Sequence, residues 1–83
     1  MTTMTRRTKS TNMDYTVIKE TDDFVDVRVR FDDINRGPRT VRFFIDQESG
    51  ETWNIMATEH GRTFSLQDYF SDEEINELWT YKV

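Results

Sequence analysis

The chain has 83 residues, of which 35% are hydrophobic and 33% are charged, and its formal net charge is −5 at pH 7. A chain of this length builds one small domain with a thin margin of stability. It contains no cysteine, which excludes disulfides, thiol catalysis and zinc–thiolate sites, and no apolar run approaches the roughly 18 residues of a membrane span. These features predict a cytoplasmic protein that does not enter a membrane.

The charge is unevenly distributed along the chain. Residues 1–12 carry Arg6, Arg7 and Lys9 and no acidic residue, whereas the remaining 71 residues hold 8 basic and 16 acidic groups, a net charge of −8. The first twelve residues have no apolar periodicity and contain five threonines, a composition that predicts a disordered basic N-terminal tail. Residues 13–83 are expected to form a single small α+β domain.

Alternation of apolar and polar residues predicts four strands, at positions 15–20, 24–31, 40–46 and 51–57. The clearest pattern lies in the second, where Val25, Val27 and Val29 point to one side. The last two strands are joined by a hairpin turn at 47–50, in which Gly50 can supply a positive φ. Strands joined by such short connections pair antiparallel, so the sequence predicts a four-stranded antiparallel meander.

The last third of the chain changes to a helical period. After a short helical turn at 64–69, Ser71 and Glu74 have the spacing of a capping box. Ile75, Leu78 and Trp79 follow at i, i+3 and i+4, which predicts a short C-terminal helix packed on one face of the sheet. The predicted core consists of Val17, Val25, Val27, Val29, Phe31, Val41, Phe43, Ile45, Trp53, Ile55, Ile75, Leu78 and Trp79, with Tyr69 or Phe70 beside them.

Enzyme chemistry has little support in these residues. The single histidine, His60, is expected in an exposed loop, and Ser49, Ser65 and Ser71 fall in predicted turns or caps. No nucleophile-elbow motif or second catalytic group accompanies them. Residues 32–37 begin like a calcium loop, but an isoleucine and an arginine stand where oxygen ligands are required. We therefore expect no catalytic residues, no metal and no cofactor.

The outer face of the predicted sheet, opposite the helix, breaks the alternation expected of a solvated face. Arginine, aromatic residues and methionine, which are enriched at protein interfaces, occur together there. The candidate binding residues are Ile18, Phe24, Arg28, Arg30, Arg42, Phe44 and Met56. The sequence is therefore interpreted as a non-enzymatic protein-binding module, whose partner is another protein or a second copy in a homodimer. By size and charge alone it is similar to small accessory or inhibitory proteins, including many from phages.

Two alternatives use nucleic-acid chemistry. Arg28, Arg30 and Arg42 beside Phe44, together with the basic tail, could form a nucleic-acid-binding module in which aromatic rings stack on bases. The charge of −8 on residues 13–83 opposes phosphate binding over most of the surface. Conversely, an acidic domain could act as a nucleic-acid mimic that occupies the basic groove of another protein.

Overall fold

One antiparallel sheet, with its strands in chain order, forms the framework of the protein. The computed structural model describes residues 13–82, so the tail predicted at residues 1–12 lies outside the described residues. The elements are β1 (Met13–Glu20), β2 (Phe24–Phe31), β3 (Arg39–Ile45), β4 (Thr52–Glu59), β5 (Arg62–Phe64), a 3₁₀ helix (Leu66–Asp68) and α1 (Asp72–Thr80). The α+β class and the antiparallel sheet with a short C-terminal helix are confirmed, whereas the prediction of four strands is wrong.

The additional strand, β5, forms because the chain reverses direction within two residues of the end of β4. His60 and Gly61 both have positive φ, 55° and 78°, as a type I′ hairpin turn requires. Glu59 then pairs with Arg62 across the turn. A strand of three residues is too short for alternation to reveal it, and the turn lacks the Asn-Gly pair that usually marks such a hairpin.

The inner face of the sheet, which α1 covers, carries the hydrophobic core. Val27, Val29, Val41 and Phe43 are completely buried, and α1 contributes Leu78, which is also completely buried. The other buried apolar residues are Met13, Val25, Ile55, Ala57, Leu66 and Phe70. The inward orientation predicted for the residues of β2 and β3 is therefore confirmed.

Three residues assigned to the core from sequence are instead exposed: Val17 (43%), Trp53 (62%) and Trp79 (48%). Trp53 leaves the core because of a β-bulge in β4. Phe44 pairs with Asn54, but the next residue of β3, Ile45, pairs with Thr52, so Trp53 is the extra residue between them. A bulge interrupts the strict alternation of faces along a strand, and the Trp53 ring packs against Phe44 on the outer face.

Of the three apolar residues that the spacing of α1 predicts on the sheet side, Leu78 is buried and Ile75 packs against the core, whereas Trp79 is exposed. The two buried residues of α1 are Glu74 and Leu78, one turn apart, and Trp79 lies about 100° farther around the helix. Glu74 tolerates this position because Arg36 donates to both of its carboxylate oxygens, at 2.6 and 3.2 Å. Val17 is exposed on β1, one of the two edge strands of the sheet, which has only β2 beside it.

The predicted start of α1 is confirmed. The Ser71 hydroxyl accepts a hydrogen bond from the Glu74 backbone N–H (3.3 Å), and Glu74 Oε1 accepts one from the Ser71 backbone N–H (2.9 Å). These bonds form the capping box that orients the helix N-terminus. Within residues 13–82, neither helix has the length and apolar character that a membrane-spanning helix needs.

Candidate binding face

An aromatic patch lies at one end of the outer face and consists of Phe24, Phe44 and Trp53. Phe24 and Phe44 are cross-strand partners on β2 and β3, and the Phe44 and Trp53 ring centroids are 5.6 Å apart. Phe24, Phe44 and Met56 are half-buried. The structure therefore brings together two of the candidate binding residues, Phe24 and Phe44, and adds Trp53, whereas Met56 pairs with Arg42 and lines a groove with Leu66 and Ile75. Strand alternation could not reveal Trp53 as a member, because the bulge reverses the face on which it lies.

A central ion pair borders the aromatic patch. Arg42 donates from Nε to Asp26 Oδ1 at 2.8 Å and from Nη2 to Oδ2 at 3.1 Å, and Asp26 is buried. The same guanidinium lies 3.8 Å from the centroid of the Phe24 ring. The hydrogen bonds to Asp26 raise the pKa of Arg42, although partial burial opposes the rise. The candidate Arg42 is thus paired with this chain's own carboxylate and lies over the Phe24 ring.

The remaining candidates lie away from the aromatic patch. On β2, Arg28 and Arg30 are four and six residues beyond Phe24, roughly 13 and 20 Å along an extended strand. Ile18 is the extra residue of a bulge in the edge strand β1, where the pairing shifts between Val17 and Lys19. The two arginines and the isoleucine therefore do not join the patch into one continuous basic and aromatic surface.

Two acidic turns, residues 21–23 and 46–51, lie at the end of the sheet beside the aromatic patch. They are held together because the Ile45 backbone N–H donates to the Asp23 carbonyl at 2.8 Å, and the Gln47 side-chain amide donates to the Asp23 carboxylate. Their exposed acidic residues are Asp22, Asp23, Asp46, Glu48 and Glu51. Lys19 is the nearby basic group, with its Nζ 5.8 Å from the Phe24 ring centroid. The rim of the patch at this end is therefore strongly negative.

His60 lies in the turn between β4 and β5 and is exposed. This position agrees with the prediction of a histidine in an exposed loop. Within residues 13–82, there is no group of three or more histidine, aspartate or glutamate side chains with an arrangement that could hold a metal ion.

Comparison with protein-family models, with curated proteins and with solved structures gives no match. Arguments about function therefore rest on the geometry of the outer face.

Proposed function

We propose that this protein is a non-enzymatic binding module that uses the aromatic patch to dock a protein partner with a basic surface. The observation that carries the proposal is Trp53, which is 62% exposed and packs against Phe44 on the face that α1 leaves uncovered. Large aromatic side chains supply much of the binding free energy at interfaces, and tryptophan is enriched at the energetically dominant positions. A partner that covers this patch removes its apolar surface from water.

The acidic turns specify the chemistry of that partner. A surface with an apolar centre and lysine or arginine around it complements the patch and the exposed carboxylates beside it. A second copy is a poorer fit, because a two-fold interface uses the same surface on both subunits. Both copies would then bring acidic turns to the interface, with no basic surface to complement them.

The arrangement favours a protein partner over nucleic acid. The Arg42 charge is neutralised by Asp26, and Arg28 and Arg30 are separated from the aromatic rings along β2. Phosphate binding needs uncompensated basic groups beside the stacking rings, whereas the aromatic patch is bordered by the acidic turns.

Two tryptophans of similar exposure provide a matched test. Wild-type protein and the variants Trp53→Ala, Phe44→Ala and Trp79→Ala are immobilised and used to capture partners from the native host. We expect wild type and Trp79→Ala to retain the same basic protein, because Trp79 lies on α1, which covers the opposite face of the sheet from Phe44, where it lines a groove with Glu51 and Thr52. Loss of an interface anchor costs 2 kcal/mol or more, so Trp53→Ala should weaken binding of the purified partner at least about thirtyfold.

A second readout follows Trp53 directly. In a Trp79→Phe variant, Trp53 is the remaining tryptophan, and its fluorescence should shift to shorter wavelength when the purified partner covers it. Affinity should fall moderately as salt rises, because the complementary charges at the rim are screened, while the apolar contact at Trp53 persists. Equal binding by Trp53→Ala and wild type would exclude the patch as the docking site.

Two other outcomes would show that the partner is not a basic protein. Tight binding to random oligonucleotides at about 150 mM salt that collapses at higher salt, with Arg28 and Arg30 substitutions having the largest effects, would favour the nucleic-acid alternative. A dimeric mass of the free protein that Trp53→Ala reduces to the monomer mass would identify a second copy as the occupant.

A further inference from the structure

A groove lies on the outer face at the end opposite the aromatic patch. One row of side chains crosses all five strands, because each member pairs with the next: Thr16, Arg28, Thr40, Thr58 and Thr63. The three central members, Arg28, Thr40 and Thr58, line an open groove of about 330 Å³, which Pro38 and His60 also line. The groove therefore combines a guanidinium with hydroxyl groups on adjacent strands of the sheet.

The groove carries an uncompensated positive charge. Two carboxylates, Asp26 and Glu59, also line it, but each is already paired. Asp26 accepts from Arg42 with both oxygens, and Glu59 accepts from Arg39 at 3.1 Å. Within the part of the chain that the structure describes, Arg28 forms no ion pair. Its charge therefore remains available in a domain that is otherwise strongly acidic.

The hydrogen-bond donors of the groove are also available. Among residues 13–82, the Arg28 guanidinium and the Thr40 and Thr58 hydroxyls have no side-chain hydrogen bond. An exposed imidazole, that of His60, lies at one end of the groove. Its backbone has φ 55°, a conformation that glycine or asparagine adopts at lower cost.

We propose that this groove binds the oxyanion of a small phosphate monoester. A planar guanidinium with several N–H donors matches a phosphate group, and the threonine hydroxyls can donate to its remaining oxygens. The volume is at the lower end for small-molecule sites, so it admits the phosphate with a small substituent. The proposal is independent of the protein-docking function, because the groove and the aromatic patch share no residue.

The proposal is tested by titrating ¹⁵N-labelled protein with inorganic phosphate, with ionic strength held constant by sodium chloride. We expect saturable chemical-shift changes at the backbone amides of Arg28, Thr40 and Thr58. Arg28→Gln should weaken binding about tenfold or more, because it removes the charge-assisted hydrogen bonds. Arg30→Gln is the matched control, since it removes an equal charge two residues along the same face, and it should bind as wild type does.

A second pair of variants replaces threonine with valine, which has a similar shape but no hydroxyl group. Thr58→Val removes a hydroxyl that lines the groove and should weaken phosphate binding several-fold, whereas Thr63→Val removes one outside the groove and should not. This pair decides the question if Arg28→Gln does not fold. The proposal is overturned if Arg30→Gln and Arg28→Gln weaken binding equally, if Thr58→Val and Thr63→Val behave alike, or if acetate binds as tightly as phosphate. Trp53→Ala should leave phosphate binding intact. The phosphate proposal and the docking proposal can therefore fail independently of each other.

Discussion

Leu78 and Trp79 are adjacent residues of α1 whose substitutions should have very different effects on stability. Leu78 is completely buried, whereas Trp79 is 48% exposed. Truncation of a buried leucine to alanine loses the transfer free energy of the removed atoms and leaves a cavity, at a cost of about 2–5 kcal/mol. A chain of this length has a total stability of roughly 4–12 kcal/mol, at about 0.05–0.15 kcal/mol per residue. Leu78→Ala therefore removes a large share of it.

The cost of Trp79→Ala should be much smaller. About half of this side chain is already in water, so its removal opens no enclosed cavity and loses only part of the burial free energy. Alanine also has the higher helix propensity, which offsets part of the lost stability. We expect a net cost of about 1 kcal/mol or less, even though tryptophan is the larger residue.

Thermal unfolding followed by circular dichroism measures both effects. For a domain of this size, each kcal/mol shifts Tm by about 4–8 °C, so Leu78→Ala should lower Tm by about 8 °C or more and Trp79→Ala by about 8 °C or less. If Leu78→Ala is unfolded at all temperatures, Leu78→Val, which removes a single methylene, provides a milder variant at the same position. A larger loss for Trp79→Ala than for the Leu78 variants would show that α1 docks on the sheet through its tryptophan.

Two further substitutions test particular contacts. Burial alone would raise the pKa of Glu74, but hydrogen bonds from the Arg36 guanidinium and the Ser71 backbone N–H reverse this effect and hold the pKa below its ordinary value. Ionised Glu74 therefore stabilises the fold above its unfolded-state pKa of about 4.3, and this contribution is lost as the pH falls through the lower folded-state value. Glu74→Gln should cost about 1–2 kcal/mol at pH 7 and less at pH 3 in urea titrations, and an equal cost at both pH values would contradict the ion-pair argument. His60→Asn should stabilise the β4–β5 turn by about 0.5–1 kcal/mol, because asparagine adopts positive φ more readily; a lower Tm would show that the histidine ring makes a stabilising contact.

Local sequence patterns determined much of the secondary structure. The alternation in residues 24–31 predicted the bounds of β2, and the capping box at Ser71 predicted the first turn of α1. Both signals are local, since alternating side chains define one buried face of a strand and a capping box satisfies the first N–H groups of a helix within four residues. The presence of aromatic residues and arginines on the outer face could be predicted for the same reason.

The details that define the candidate site depended on contacts between distant residues. The bulge that moves Trp53 to the outer face arises from the pairing of β4 with β3, and neither strand alone encodes that shift. Glu74 is buried because Arg36, 38 residues away, neutralises it, and Arg42 is paired because Asp26 lies opposite it on β2. Alternation along the strands was enough to place most of the aromatic and basic side chains on the outer face. Which of those charges are neutralised, and which tryptophan lies there, follows from the tertiary structure, because a buried charge or a bulge depends on partners that lie far away along the chain.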